Sequence, residues 1–170
     1  MTPLLRLASL HPLRPRASVR GVLDARACLA YAAAIARAAG LLAGVRAGVI
    51  EGRAFHPARF ASSLFGFVAL PALLAWVGRW LGGRSSVRAL AVAVAGSAVP
   101  FLAVDALWIG LADVALENEP LRWALVGFER LSWIWALALL VAGVAEAQRF
   151  SAPRALANVL LAFAAAATAA

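Results

Sequence analysis

Four ionisable residues interrupt otherwise apolar stretches of this sequence, and they are the groups whose type could support chemistry. Arg37 lies in the stretch 27–50 and Asp105 in the stretch 89–112, while Glu129 and Arg130 are adjacent within 121–145. Charged groups inside a membrane are rare, and they mark ion or proton pathways or pair with one another. These four residues therefore form the candidate intramembrane charge site.

Three interpretations of this site stay open. The first is a structural ion pair between Asp105 and Arg130, because a short connector makes their helices antiparallel neighbours at comparable depth. The second is a proton- or ion-handling site made of Asp105, Glu129 and Arg37. In the third, each charged side chain extends independently towards the headgroups. We expect Glu129 to be more tolerant of substitution than Arg130.

Other catalytic and metal-binding patterns are missing from the sequence. His11 and His56 have no partner at the spacing of a zinc-binding helix. Ser97 lacks the glycine spacing of a nucleophile elbow. Cys28 is the only cysteine, which rules out an intrachain disulfide. We therefore predict no catalytic residue, no cofactor-binding residue, no metal ligand and no enzymatic activity.

The composition indicates the solvent in which these residues lie. Hydrophobic residues make up 64% of the chain and charged residues 14%, against about 45–50% and about 25% in soluble domains. One soluble core could not bury this excess, so much of it must face lipid. The sixteen basic residues are all arginines and give a net charge of +8. They fall mainly between apolar stretches, which favours a lipid bilayer and not nucleic acid as the partner.

The apolar stretches predict an all-α, polytopic membrane bundle. A helix needs about 20 apolar residues to cross a bilayer. Ser86 and Asn118 are expected to cap the third and fourth helices. The N-terminal segment 1–26 is expected to be basic and cytoplasmic, without a cleavable signal peptide, and 27–170 to be the transmembrane domain. The predicted helices are 27–50, 59–80, 87–111, 120–146 and 152–168.

The arginine distribution predicts the orientation of the bundle. Positive residues accumulate in cytoplasmic segments. With the N-terminus inside, ten arginines are cytoplasmic: Arg6, Arg14, Arg16, Arg20, Arg26, Arg79, Arg84, Arg88, Arg149 and Arg154. Only Arg53, Arg59 and Arg122 lie outside. After five crossings the C-terminus is external. Heavy use of arginine and alanine suggests a bacterial inner membrane, and Trp108 and Trp123 are expected at its outer interface.

Small residues recur every four positions along the first helix. This candidate packing stripe consists of Ala36, Gly40, Gly44 and Gly48 and begins one turn earlier at Ala32. The pattern is typical of helices whose backbones approach closely. It could form a dimer interface or pack within the bundle, and the second is favoured. Arg37 lies beside the stripe and is expected to face protein, because its charge is costly in lipid.

Several short motifs resemble the Yip family of membrane proteins, which are named for interaction with Rab/Ypt GTPases. They are Ser97-Ala98-Val99-Pro100, Ile134-Trp135-Ala136-Leu137, Gly143 and Phe150-Ser151-Ala152-Pro153-Arg154-Ala155. The resemblance covers about residues 59–165. It implies a five-helix bundle with an internal N-terminus and an external C-terminus, and it brings no catalytic residues.

The resemblance also implies a non-enzymatic role. Eukaryotic members act in vesicle trafficking and membrane shaping through a long cytoplasmic N-terminal region, whereas about 26 residues precede the first helix here. We therefore expect no Rab binding. The leading hypothesis is association with lipids, further copies of the chain or other membrane proteins. The rival hypothesis is a small transporter or channel subunit that uses the intramembrane charges.

Overall fold

The computed structural model describes residues 28–168, all of them in helices or short connectors. The helices are α1 (Cys28–Ile50), α2 (Pro57–Trp80), α3 (Val87–Ser97), α4 (Val99–Glu117), α5 (Glu119–Gln148) and α6 (Ala152–Thr168). The predicted N-terminal segment 1–26 lies outside the described residues.

The predicted all-α membrane bundle is confirmed. α3 and α4 together form the third predicted helix, so the five predicted helices are all present. Four of them are long and apolar enough to cross a membrane: 29–50, 57–80, 87–117 and 119–148. α6 is apolar but has only 17 residues, or about 26 Å at 1.5 Å per residue, slightly less than the hydrocarbon thickness of about 30 Å.

Polar residues placed between the apolar stretches start the helices. The side chain of Ser86 accepts a hydrogen bond from the backbone N–H of Ala89 at 3.2 Å. Asn118 accepts in the same way from the N–H of Leu121 at 3.0 Å. Each bond satisfies one of the N–H groups that a first helical turn leaves without a partner. Both predicted caps are therefore confirmed. His56, which was not predicted as a cap, does the same for α2 through Nδ1.

The third helix differs from its predicted form in two respects. It extends to Glu117 and not only to residue 111, and its regular geometry is interrupted at Ala98. Pro100 has no N–H to donate, so the helical hydrogen-bond ladder cannot pass through it unchanged. The N–H of Ala98 instead bonds to the carbonyl of Ala95 in a tighter turn, at 3.1 Å.

The third helix is the centre of the bundle. α3 packs against α1, α2 and α5, whereas α4 packs against α1 and α5 and makes no comparable contact with α2. α6 fills the space between α2 and α5. The main core lies at this inner end, where Leu74, Leu90, Val144 and Val159 are fully buried. Beyond Ala98 the packing is more open, because α4 leaves α2.

Two buried amide side chains join the helices of this core. Nε2 of Gln148 and Nδ2 of Asn158 both donate to the backbone carbonyl of Leu74, at 3.0 and 3.2 Å. In lipid the apolar surfaces of helices have no hydrophobic reason to associate, so such interhelical hydrogen bonds contribute to assembly. They attach α5 and α6 to the same point on α2.

Candidate functional site

Arg46 on α1 connects two carboxylates that lie on two other helices. Its Nη1 lies 3.0 Å from Oδ1 of Asp105 on α4. Its Nη2 lies 2.6 Å from Oε2 of Glu129 on α5. The planar guanidinium presents its donors as a fork, so one arginine can bond to two acceptors at once. We call Arg46, Asp105 and Glu129 the charge cluster; it ties together three membrane helices.

The three residues meet because they lie at equal depth in the bundle. Arg46 and Asp105 each come 18 residues after the first residue of the first and third helices (46 − 28 and 105 − 87), and Glu129 comes 19 residues before the last residue of α5 (148 − 129). These separations correspond to about 27 Å, so the cluster lies near the outer edge of a hydrocarbon slab about 30 Å thick.

The surroundings of the cluster are partly dry. The side chains of Arg46, Asp105 and Glu129 are 19%, 9% and 27% exposed. The buried ring of Trp108 lies under the guanidinium, with 5.1 Å between Cζ and the ring centroid. This contact adds a cation–π attraction to the two ion pairs. The prediction that Trp108 lies at the membrane interface is therefore wrong: it packs inside the bundle, one turn beyond Asp105.

The structure brings together only two of the four predicted site residues. Asp105 and Glu129 share Arg46, whereas Arg37 and Arg130 are exposed and form no ion pair with the described residues. The predicted pair between Asp105 and Arg130 is therefore wrong. Arg130 has the right depth, but it lies about 100° around the helix from Glu129, so it points away from the bundle. The expectation that Arg37 faces protein within the chain is also wrong.

Arg46 is the residue that the sequence analysis missed. The small-residue stripe drew attention to one face of α1, but α1 has a second contact face. Ala39, Ala43, Arg46 and Ile50 recur at spacings of four, three and four, which places them on one side of a helix. All four line a cavity between the helices. This spacing, together with the equal depths of the three charges, was the signal that could have identified the cluster.

The glycine stripe lies against the α1–α2 connector and the start of α2. Carbonyl groups of Gly48 and Gly44 accept hydrogen bonds from the N–H groups of Arg53 and His56, at 2.7 and 2.9 Å. A β-carbon added at Gly44 would lie 2.5 Å from the ring of Phe55. The connector can fold back along α1 because these positions have no side chain. Ala36, at the inner end of the stripe, is half-buried.

A cavity of about 490 Å³ adjoins the charge cluster. It lies beyond Ala98, on the side where α4 leaves α2, and α1, α2, the third helix and α5 all contribute to its wall. Its charged lining comprises the cluster together with Glu51 and Arg59 at the start of α2 and the end of α1. The cavity is within the range of about 300–1,000 Å³ typical of small-molecule sites.

This arrangement can neutralise and hold charge. A guanidinium between two carboxylates leaves the cluster with a formal charge of −1. Each carboxylate uses one oxygen for Arg46, and the second oxygens, Oδ2 of Asp105 and Oε1 of Glu129, accept no hydrogen bond from the described residues. The cluster therefore keeps hydrogen-bonding capacity beside a cavity.

The fold and the paired intramembrane charges define the chain as a multi-pass helical membrane protein. It belongs to the Yip1 domain family, whose model matches residues 12–170. The predicted resemblance to this family is confirmed, and it extends over more of the chain than the motifs indicated. No curated protein and no solved structure matched the chain.

Proposed function

We propose that the protein is a non-enzymatic, multi-pass inner-membrane protein that acts by association with lipids, other copies of itself or other membrane proteins. Membership of the Yip1 domain family and the apolar helices support a role within the membrane. The charge cluster supports a structural use of most of the intramembrane charge, because its ion pairs join three helices.

One observation carries the proposed association. Arg37 is exposed nine residues after the start of α1, or about 14 Å along the helix, which is near the middle of the bilayer. Ala33 and Leu41, one turn on either side, are exposed as well, so this face of α1 points outward. A central arginine costs about 2.5–3.5 kcal/mol on insertion scales. An anionic lipid or a carboxylate of a membrane partner would offset that cost.

We further propose that the N-terminus is cytoplasmic and the C-terminus external. The support is the excess of arginine in the segments assigned to the inside, ten against three. The exposed rings of Trp76 and Trp80 lie together at the end of α2, where the same orientation places the inner interface. Indole rings prefer that depth because they have an apolar body and a polar N–H.

Native mass spectrometry of the full chain, extracted in mild detergent, tests the association. We expect the wild type to retain an anionic lipid, a second copy or another membrane protein, and Arg37→Gln to lose it. Arg130→Gln is the matched control, because it removes the same charge from an exposed site near the membrane edge. A wild type that retains none of these, or an Arg37→Gln variant that retains all of them, contradicts the proposal.

The rival function, a small transporter or channel subunit, is favoured by one observation: the cavity adjoins the charge cluster. Intramembrane charges that line a cavity are common in ion and substrate pathways. Flux of protons or small ions in reconstituted vesicles, lost in Asp105→Asn and kept in Asp113→Asn, would support it. Equal flux in vesicles with and without the protein would reject it.

A further inference from the structure

We propose that the cavity beside the charge cluster binds a monocationic, lipophilic amine, that is, a molecule with one ammonium group and a compact apolar body. This inference goes beyond the proposed association, which concerns the outer surface of the bundle and not its cavity. It also differs from the rival function, because binding requires no transport.

The charge of the lining selects the sign of the ligand. Two arginines and three carboxylates line the cavity, so its formal charge is −1. Glu51 and Arg59 balance one another at the rim. The remaining negative charge belongs to Asp105 and Glu129, which share the single guanidinium of Arg46. A monocation would neutralise the cavity, whereas an anion would double its charge in a medium of low dielectric constant.

The acceptor geometry selects an ammonium group. Oδ2 of Asp105 and Oε1 of Glu129 are left over after the bonds to Arg46, and the described residues donate nothing to them. An alkylammonium carries three N–H donors, so it can bond to both oxygens. Charge-assisted bonds of this kind are about twice as strong as neutral ones.

The rest of the wall selects an apolar body. Ala39, Ala43 and Ala47 give α1 a smooth surface, and the rings of Phe101 and Trp133 close the opposite side. These two rings touch edge to face, with 4.7 Å between their centroids. Aromatic faces also attract a cation that comes close to them. A hydrophilic amine would leave this surface without a partner.

Binding of three probes with the same adamantane body tests the charge preference. The full chain is reconstituted in phosphatidylcholine nanodiscs, and empty nanodiscs are subtracted to remove partitioning into lipid. We expect adamantylammonium to bind more tightly than uncharged 1-adamantanol by about tenfold or more, and adamantane carboxylate not to bind. Equal affinity for the ammonium and the alcohol, or no binding of the ammonium, would overturn the proposal.

Two variants and one control locate the site. Glu129→Gln leaves a neutral Arg46–Asp105 pair and should abolish the preference for the ammonium, whereas Glu117→Gln, an exposed residue outside the cavity, should keep it. Ala43→Leu fills the cavity without changing charge and should prevent binding of both adamantylammonium and the alcohol. If Ala43→Leu binds like the wild type, or if Glu117→Gln loses the preference as Glu129→Gln does, the site is not this cavity.

The amine could come from a lipid headgroup or from a free molecule, and a further arm separates the two. Phosphatidylethanolamine, which carries a primary ammonium, replaces part of the phosphatidylcholine. If it lowers the apparent affinity for adamantylammonium in the wild type, the lipid headgroup is a ligand. If the affinity stays the same, the site takes free amines. Either result supports an ammonium site, provided that the preference over the alcohol is present.

Discussion

Nη1 of Arg46 lies 3.0 Å from Oδ1 of Asp105, although the two residues are 59 positions apart in the chain. The bond joins the first membrane helix to the third, and the same guanidinium reaches α5 through Glu129. One side chain on α1 therefore fixes the positions of two helices that α1 would otherwise hold only by contacts between small residues.

Removal of Arg46 should destabilise the bundle. Arg46→Met leaves two carboxylates close together without their cation, and loss of one partner from a buried pair costs about 3–5 kcal/mol. We expect about 3 kcal/mol or less of unfolding free energy here, because Arg46 and Glu129 keep 19% and 27% of their side-chain exposure. Unfolding in detergent measures the loss.

The matched control for Arg46→Met is Arg130→Met, which removes an arginine of the same depth from the outside of the bundle. The triple change Arg46→Met with Asp105→Asn and Glu129→Gln removes the unpaired charge and should recover part of the loss. Arg46→Lys should be intermediate, since a single ammonium lacks the fork that reaches both acceptors. Equal stability of Arg46→Met and Arg130→Met would refute a structural role for the cluster.

The glycines of α1 should differ in their tolerance of alanine. At Gly48 a β-carbon would lie 2.7 Å from the backbone nitrogen of Phe55, which cannot move without the connector. At Gly44 the obstacle is the Phe55 ring, and at Gly40 the ring of Phe60 lies 3.2 Å away. We expect the thermal stability in detergent to fall most for Gly48→Ala, less for Gly44→Ala and least for Gly40→Ala.

Gly66 on α2 supplies the control for that series, because it is exposed and a β-carbon there would meet nothing within 4 Å. Gly66→Ala should keep or slightly raise stability, since alanine is favoured over glycine inside a helix by about 1 kcal/mol. A reversed order, with Gly40→Ala the most damaging, would show that the connector does not rest on the stripe.

The helices could be predicted from the sequence more fully than the contacts of the site. Their bounds follow from a local requirement, about 20 apolar residues between polar caps, and Ser86 and Asn118 supply such caps. The break at Ala98 follows from Pro100, although the sequence indicated only a kink. The choice of Arg46 over Arg130 as the partner of Asp105 depends on helix rotation, which composition does not encode. The exposure of Arg37 depends on it too.

The orientation can be tested by labelling single cysteines in a Cys28→Ser background. Ala54 and Asn118 lie in exposed connectors on one side of the proposed topology, and Arg84 and Arg149 lie in exposed connectors on the other. We expect a membrane-impermeant maleimide to label cysteines at 54 and 118 in intact cells. Cysteines at 84 and 149 should react only after permeabilisation. The opposite pattern would reverse the bundle, and uniform labelling would contradict the crossings.

Gly78 and Gln148 should behave as a coupled pair. A β-carbon at Gly78 would overlap the amide of Gln148, and that amide donates to the carbonyl of Leu74 at 3.0 Å. Gly78→Ala must therefore displace a buried polar group, and a buried group left without its partner costs about 1–3 kcal/mol. Gln148→Ala alone should be milder, because Asn158 still donates to the same carbonyl at 3.2 Å.

In the Gln148→Ala background the amide that obstructs position 78 is gone, so Gly78→Ala should add little further loss. A double-mutant cycle on unfolding free energies in detergent should therefore give a coupling of about 1–3 kcal/mol, in the range for residues in contact. Gly66→Ala combined with Gln148→Ala is the control and should be additive, since Gly66 faces open space. An additive result for Gly78 would mean that α2 and α5 are not held together at this point, and that the shared bond to Leu74 does not position them.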